Sequence, residues 1–475
     1  MNGISATDLS SRDDYVTQMD PVPTTESQER NEEADWKPTI VQQETFLSLY
    51  QKKLQQSLLV SKPVPISSSA FPVERIRMAT NARGDAAMAY VRFGGDQNYA
   101  YVITKKTGEF WGTPVEIDRG GDIEEISCGI NSKGAVRLLW EVDGQRKMAW
   151  QNSDGKWIQP ISVDPLFTMD TDDDLISHCL CGENAISLIG RDAEDSSKFC
   201  CATYFSKEGQ FFERITHVPA FQVDMQSHPD QGNALVWTEE NGIKSRLHLA
   251  CWNEASGSWV SHPVVSLLEQ MKEPQLFLGS NQQQEIVWRN DNQIRILSLN
   301  GGKATGEAVT VGELQLTSGW HVRNNESSCD WQIRFAQDSE GNQIMLWNTL
   351  KDGRDVIYAA SRLAGKNWQA PKELKLLPAG TRCKDLQIQL TRNDQFMVGW
   401  TEQTSEFLGG EVRGGILSAK NLNLSRETRL SPEGAACSDA RLSAGGKFDV
   451  NVCWSQNGPD YLKNRQLHSA EVVCL

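Results

Sequence analysis

The stretch "RFAQDSEGNQIMLW", Arg334 to Trp347, is echoed upstream by "RMATNARGDAAMAY", Arg77 to Tyr90, and near the end of the chain by "RLSAGGKFDVNVCW", Arg441 to Trp454. Each phrase opens on arginine and closes on an aromatic residue thirteen positions later. Working outward from these three, the closing positions recur at Tyr90, Trp140, Ile189, Trp237, Trp288, Trp347, Trp400 and Trp454, a spacing of 48 to 59 residues. A fixed period of this length marks a repeat architecture, in which each unit buries its apolar faces only against its neighbours.

The composition of the unit decides its type. Short β-like runs such as "GNALVW", "GAVRLLW" and "QFMVGW" precede the closing residue. A polar turn and another strand follow, then a third signature: "TGEFWGTPVEI", "SDGKWIQPISV", "SGSWVSHPVV" or "GKNWQAPKEL". Helical repeats do not fit segments this short, alternating and punctuated by Gly, Asn and Asp. Four strands per unit of about 50 residues is the pattern of a propeller blade. The expected fold is therefore all-β, a β-propeller of eight blades, or of seven if the third unit, which lacks the aromatic marker, is discounted.

The ends fit closure. The last unit stops at "NRQLHSAEVVCL" without an outer strand, and "LLVSKPVPISS" stands just before the first unit. Pairing the two closes the ring and covers a sheet edge. The expected domains are an acidic disordered tail over 1–38, an amphipathic helix over 39–61, and a propeller over 62–475 closed by an N-terminal strand near 58–67. The tail holds nine acids against two arginines in its first 35 residues, too little apolar surface to fold. Leu47, Tyr50, Leu54 and Leu58 share one face at helical spacing.

The signatures "TGEFW" (Thr107–Trp111), "SDGKW" (Ser153–Trp157), "SGSW" (Ser256–Trp259) and "GKNW" (Gly365–Trp368) resemble the degenerate Asp-boxes of sialidase-like propellers. That resemblance implies a turn between third and fourth strands, hence a fold rather than an activity. Members that hydrolyse sialosides carry an arginine triad, a Tyr–Glu nucleophile pair, an acid and an early Arg-Ile-Pro motif. Here the corresponding place reads "ERIRM", Glu74 to Met78, and Tyr461, the one tyrosine late in the chain, has no glutamate motif beside it.

Counting back thirteen residues from each closing position gives Arg77, Ser127, Ile176, Asp224, Gln275, Arg334, Gln387 and Arg441. The next position reads Met78, Cys128, Ser177, Met225, Leu276, Phe335, Ile388 and Leu442. A polar series beside an apolar one is a strand with two different faces. The polar series is expected to line the central channel, and the apolar series to pack between blades. Arg77, Arg334, Arg441, Gln387, Asp224 and Gln275 are the candidate ligand-binding residues. Closure puts Arg441 beside Arg77, with Arg334 one blade beyond Gln387, a donor set suited to an anionic sugar or small acid. The alternative is that these side chains only build the channel wall.

Other features are weaker. Asp170, Asp172, Asp173 and Asp174 lack the glycine and glutamate of a calcium loop. His178, Cys179, Cys181, Cys200 and Cys201 fall on separated strands and do not converge as zinc ligands should. No metal site and no cofactor is expected. A net charge of -15 excludes sequence-independent nucleic-acid binding, and no apolar run is long enough to span a membrane. Eleven cysteines without paired spacing fit free thiols in the cytoplasm. The N-terminus "MNGISATDLSSRDDYV" has no signal-peptide pattern and is also compatible with delivery into a host cell by a bacterial secretion system. The function expected is a non-enzymatic scaffold whose variable loops bind a protein partner. Lectin-like binding in the channel and sialidase-like glycan processing are the alternatives.

Overall fold

The second strand of each repeat is apolar along nearly its whole length because it is buried on both faces. In the computed structural model Ala86–Phe93, Val136–Val142 and Phe396–Ser405 are such strands, and Trp140, Trp288, Trp347, Trp400 and Trp454 are fully buried on theirs. The structure describes residues 58–67 and most of 72–474. Residues 1–57 and a number of turns and joins, among them 164–174, 180–184, 192–198, 315–332 and 458–464, lie outside the described residues. The expected tail and most of the expected helix fall there, as do Asp170 to Asp174, Cys181 and Tyr461. The helix cannot run on to residue 61, because Leu58–Val60 is β-strand.

Eight blades follow one another along the chain; among the described residues they form seven antiparallel sheets, because a single bridge between Gly410 and Cys437 joins blades 7 and 8 into one sheet of nine strands. Blade 1 comprises Val73–Thr80, Ala86–Phe93, Asn98–Lys105 and Val115–Gly120. Blades 2, 3 and 4 begin at Ile126, Leu175 and Gln222, and blades 5, 6, 7 and 8 at Lys272, Ile333, Arg382 and Cys437. The first strands of successive blades neighbour one another, so they form the innermost layer. Blade 8 supplies only three strands of its own, the last being Arg465–Cys474. Its outer strand comes from the other end of the propeller. Leu58 pairs with Cys474, Val60 with Val472, and Val64 with Ser469. The closing strand expected from "LLVSKPVPISS" is thus present.

Eight apolar clusters among the described residues each join one blade to the next. Ala89 and Val91 of blade 1 meet Leu138 and Trp140 of blade 2. Around the ring, Met88 and Tyr90 of blade 1 meet Cys453 and Leu467 of blade 8. Alternation along the second strand sends one residue backward and the next forward: Ile286 and Trp288 pack on blade 4, Val287 on blade 6. The ring therefore has no separate core. Its stability lies in eight seams, and burying one tryptophan in a seam contributes roughly 4–6 kcal/mol before entropic costs.

The same alternation corrects the register of the third unit. Leu188 packs toward blade 2 and Ile189 toward blade 4. The position equivalent to the other tryptophans is therefore Gly190, not Ile189. A bulge between Leu175 and Ser177 leaves Ile176 out of the pairing, and Ser177 stands opposite Ile189 as Arg77 stands opposite Ala89. With Ser177 in place of Ile176, the inner series is polar in all eight blades.

Polar side chains recur in the seams at matching places. In the closing seam Lys105 of blade 1 donates to Asn451 at 3.0 Å and to Glu471 at 2.6 Å, both on blade 8. Arg362 occupies the same place on blade 6 and pairs with Glu285 of blade 5, which also accepts from Ser298 at 2.7 Å and Gln343 at 3.1 Å. Burial pushes the Glu285 carboxyl up, and the Arg362 charge opposes that. In the seam of blades 3 and 4, Asn233 donates to Ser187, which shares a hydrogen bond with Thr203. Removing one partner of a buried pair leaves the other charge unpaired, at a cost of about 3–5 kcal/mol. Lys105→Met is expected to lower stability by about that amount, and Lys105→Met with Glu471→Gln to recover more than half. Urea midpoints of the three proteins check this, and equal midpoints for single and double variants would refute it.

Candidate functional site

An innermost strand has one edge with no strand beside it, and buried backbone groups there still need partners. The polar series supplies them across the blade boundary. Asp224 of blade 4 accepts from the Leu276 N–H of blade 5 at 2.8 Å. Gln387 of blade 7 accepts from the Leu442 N–H of blade 8 at 2.6 Å and donates to the Ala440 carbonyl at 2.8 Å. Arg334 of blade 6 donates through Nε to the Leu386 carbonyl of blade 7 at 2.9 Å. Leu276 and Leu442 are equivalent positions, as are Leu386 and Ala440. One geometry is being repeated with three residue types.

The three arginines also share a second contact. Each donates from its guanidinium to the carbonyl of the residue before it: Arg77 to Ile76, Arg334 to Ile333, and Arg441 to Ala440, at 3.1, 3.0 and 2.7 Å. Arg77 is exposed, whereas Arg334, Arg441, Gln387, Asp224 and Gln275 are half-buried. Their apolar neighbours Met78, Cys128, Met225, Leu276, Phe335, Ile388 and Leu442 all pack into seams, as expected.

One of the arginines pairs with a carboxylate, and a second feels its charge. Arg441 pairs with Asp385 of blade 7 at 3.1 Å. Burial, and then the charge of Arg441, pull the Arg334 guanidinium below its usual range, while Asp385 acts in the opposite direction. Arg334, Asp385 and Arg441 thus form one electrostatic group, in the sector where the sequence placed Arg334 and Arg441. Asp385 also accepts from the Ala440 N–H at 3.1 Å and the Thr401 hydroxyl at 3.0 Å. Asp224 belongs to blade 4 and lies across the ring from Arg441. Gln275 occupies the equivalent place on blade 5, opposite Val287.

Asp385 was not legible from the polar series, because it lies two residues earlier. There the backbone bulges in four blades, and the residues at the bulge adopt left-handed conformations: Arg75, Glu273, Asp385 and Asp439, with φ of 56°, 53°, 51° and 54°. Such values carry strain for a side chain other than glycine. The bulges turn backbone N–H groups toward the neighbouring blade, where Gln222 accepts from Glu273 at 2.6 Å and Asp385 from Ala440. The signal was present as Cys-x-Asp, Cys383-Lys384-Asp385 and Cys437-Ser438-Asp439. Both cysteines are buried, and burial pushes the Cys437 thiol up to about 12.

Among the described residues, no group of three or more His, Cys, Asp or Glu side chains is placed to hold a metal ion. Cys200 and Cys201 are buried. Burial pushes the Cys201 thiol up to about 12, so it is a poor nucleophile near neutral pH.

The topology and seams define the class, an eight-bladed β-propeller with an N-terminal closing strand. No family model matches the chain, and no curated protein matches it. Solved structures similar to it include a protein of unknown function from Dyadobacter fermentans DSM 18053, at 11% identity over 88% of this chain and 99% of that one, with a TM-score of 0.40. NanB sialidase from Streptococcus pneumoniae is similar at 11% identity over 88% of this chain and 70% of that one, TM-score 0.37. The WD40 domain of SCAP from fission yeast is similar at 7% identity over 87% and 98%, TM-score 0.49.

Asp224 offers a test of the channel electrostatics. Burial raises its carboxyl from 3.8 to about 6, against the hydrogen bond from Leu276. A raised carboxyl costs stability as pH climbs from the unfolded value to the folded one, and the cost persists above it. Asp224→Asn should match the wild type at pH 4 and exceed it at pH 7 by about 3 kcal/mol, from two units at 1.36 kcal/mol each. Paired denaturation curves at the two pH values check this; a pH-independent difference would refute it. Gln387→Leu, which strips the Leu442 N–H of its partner and leaves the Ala440 carbonyl with Arg441 alone, should cost about 1–3 kcal/mol in the same assay.

Proposed function

We propose that this protein is a non-enzymatic propeller that serves as a scaffold for a protein partner bound through the loops of one face. The observation that carries the reading is the engagement of the inner polar series: Asp224, Arg334, Gln387 and Arg441 hydrogen-bond neighbouring blades rather than converging on a common point. An arginine site built for a ligand would aim its donors into the channel. Arg334 Nε and one terminal nitrogen of Arg441 instead reach Leu386 and Asp385 of blade 7. The turns joining second to third strands, such as Phe93–Asn98 and Val142–Gln145, vary in length and sequence on a rigid ring, a suitable surface for recognition. Buried free thiols at Cys383, Cys437 and Cys453 support a reducing compartment, the cytoplasm of the producing cell or of a host.

One observation favours a second reading, lectin-like binding of an anionic sugar or small acid. Arg334 and Arg441 lie close enough to act on one another electrostatically, and exposed Arg77 follows on the next blade.

A thermal-shift screen against sialic acid, glucuronate, phosphate and sulfate separates the two. The scaffold reading expects no saturable rise in melting temperature with any of them. A rise that saturates, and that Arg77→Ala with Arg334→Ala and Arg441→Ala abolishes, would overturn it in favour of the channel site. At a hundredfold excess over Kd such a ligand would contribute about 2.7 kcal/mol, well within detection.

A further inference from the structure

The closing strand differs from every other outer strand in how it is held. In blades 1 to 7 the outer strand follows its own blade within the chain, so a short connection keeps it in place. In blade 8 it is supplied by Leu58–Val60 and Val64–Pro65, some four hundred residues away in sequence. Its ladder pairing covers five residues, continues through the Ser61 N–H to Glu471, and breaks at Lys62–Pro63, where Pro63 cannot donate. Leu58 is buried in the seam of blades 7 and 8, but Leu59 and Val64 are 45% and 54% exposed. They are among the few large apolar side chains left in solvent by the described residues.

The strand it covers is held independently. Arg465–Val472 pairs with Val450–Asn457, from Val450 opposite Val472 to Asn457 opposite Arg465, and Val473 and Cys474 extend past that pairing. Its Glu471 carboxylate is fixed from the other side by Lys105 of blade 1, whose side chain is 4% exposed. Arg465 is anchored to Asp439 at 2.8 Å and to Ser455 at 2.9 Å. None of these contacts involves residues 58–65. What residues 58–67 add is backbone pairing, the mutual hydrogen bonds of Ser61 and Glu471, the hydrogen bonds of Ile66 and Ser67 with Leu467, and the packing of Leu58 and Val60 in one seam and of Ile66 in another.

We propose that Arg465–Cys474 is a strand-docking edge whose resident occupant, Leu58–Pro65, is exchangeable for an extended segment of a partner protein with apolar residues at alternate positions. When the resident strand lifts, the edge keeps its shape, so a partner strand meets a preformed row of backbone donors and acceptors. The pattern required is set by the resident: an apolar residue opposite Cys474 and another opposite Val472, with backbone pairing between them. Lifting the resident strand gives up little burial at Leu59 or Val64, which are already exposed to solvent. The mechanism leaves the channel untouched, so it stands or falls apart from the ligand screen.

The test uses full-length protein and a fluorescent synthetic peptide, LLVSKPVPIS, as probe. Leu58→Asp with Val60→Asp weakens the resident strand. Val60→Cys with Val472→Cys, oxidised with glutathione disulfide, locks it to the strand it covers, the two residues lying directly opposite one another. Fluorescence anisotropy should show saturable binding to the weakened variant, at least tenfold weaker binding to wild type, and none to the locked variant. A peptide carrying aspartate at the positions of Leu58 and Val60 should not bind. Equal binding to locked and weakened proteins, or no binding to a weakened variant that still melts cooperatively, overturns the proposal. If the weakened variant does not fold, hydrogen exchange on wild type decides. Amides of Leu58–Ser61 and their partners on Arg465–Cys474 should open in a sub-global step, at lower free energy than those of Gln343–Lys351. Exchange of both sets only through global unfolding overturns it as well.

Discussion

The inner strand of each blade has no strand on its channel side, and the hydrogen bonds that answer this constraint tie the ring together. Asp224, Arg334, Gln387 and Asp385 each reach from one blade to backbone groups of the next. A sheet edge that would otherwise need water or a partner chain is satisfied by its neighbour. Because the reach always runs from blade to blade, the same contacts fix the angle between successive sheets. The four left-handed bulge residues fit this account. The strain they hold is local, and it turns N–H groups of blades 5 and 8 toward acceptors on blades 4 and 7.

Apolar packing and polar contacts divide the seam between them. The second strands fill its middle with tryptophan, methionine and aliphatic side chains, where contact is nondirectional and tolerates drift. Directional pairs then sit at matching places in several seams: Lys105 with Glu471, Arg362 with Glu285, Asn233 with Ser187. Such buried pairs add little net stability over an apolar replacement, but a mispaired one is costly. Their value here is register. These three seams carry different combinations, so a blade shifted along its neighbour there would strand a charge or an unpaired polar group.

The architecture was legible because it is written in local periodicity, repeated eight times. A closing aromatic at Trp140 or Trp400 and a polar residue thirteen positions earlier are visible without any contact being known. The third unit was misread by one residue because its register depends on which face Leu188 and Ile189 present, and a run buried on both faces hides that. Arg334 and Arg441 were correctly placed in one sector, since blade order alone determines it. Asp385 was missed because its role comes from a bulge, which shifts the pairing between Lys384 and Gln387 and has no simple period. Lys105 and Glu471 were missed because their meeting joins the two ends of the repeat. The tertiary fold alone brings residues so distant in sequence together.

Closure explains why that last pair and the N-terminal strand act on the same residue. Glu471 takes a charge from blade 1 through its side chain and a strand through its backbone. The first contact keeps blades 8 and 1 together whether or not the second is present. The ring thus has one joint secured twice, by a buried ion pair that water reaches poorly and by a short strand lying at the surface. Of the two, only the strand can be replaced by an equivalent chain without leaving a buried charge behind. A propeller that offers a partner a strand edge without losing its ring would divide its closure in this way.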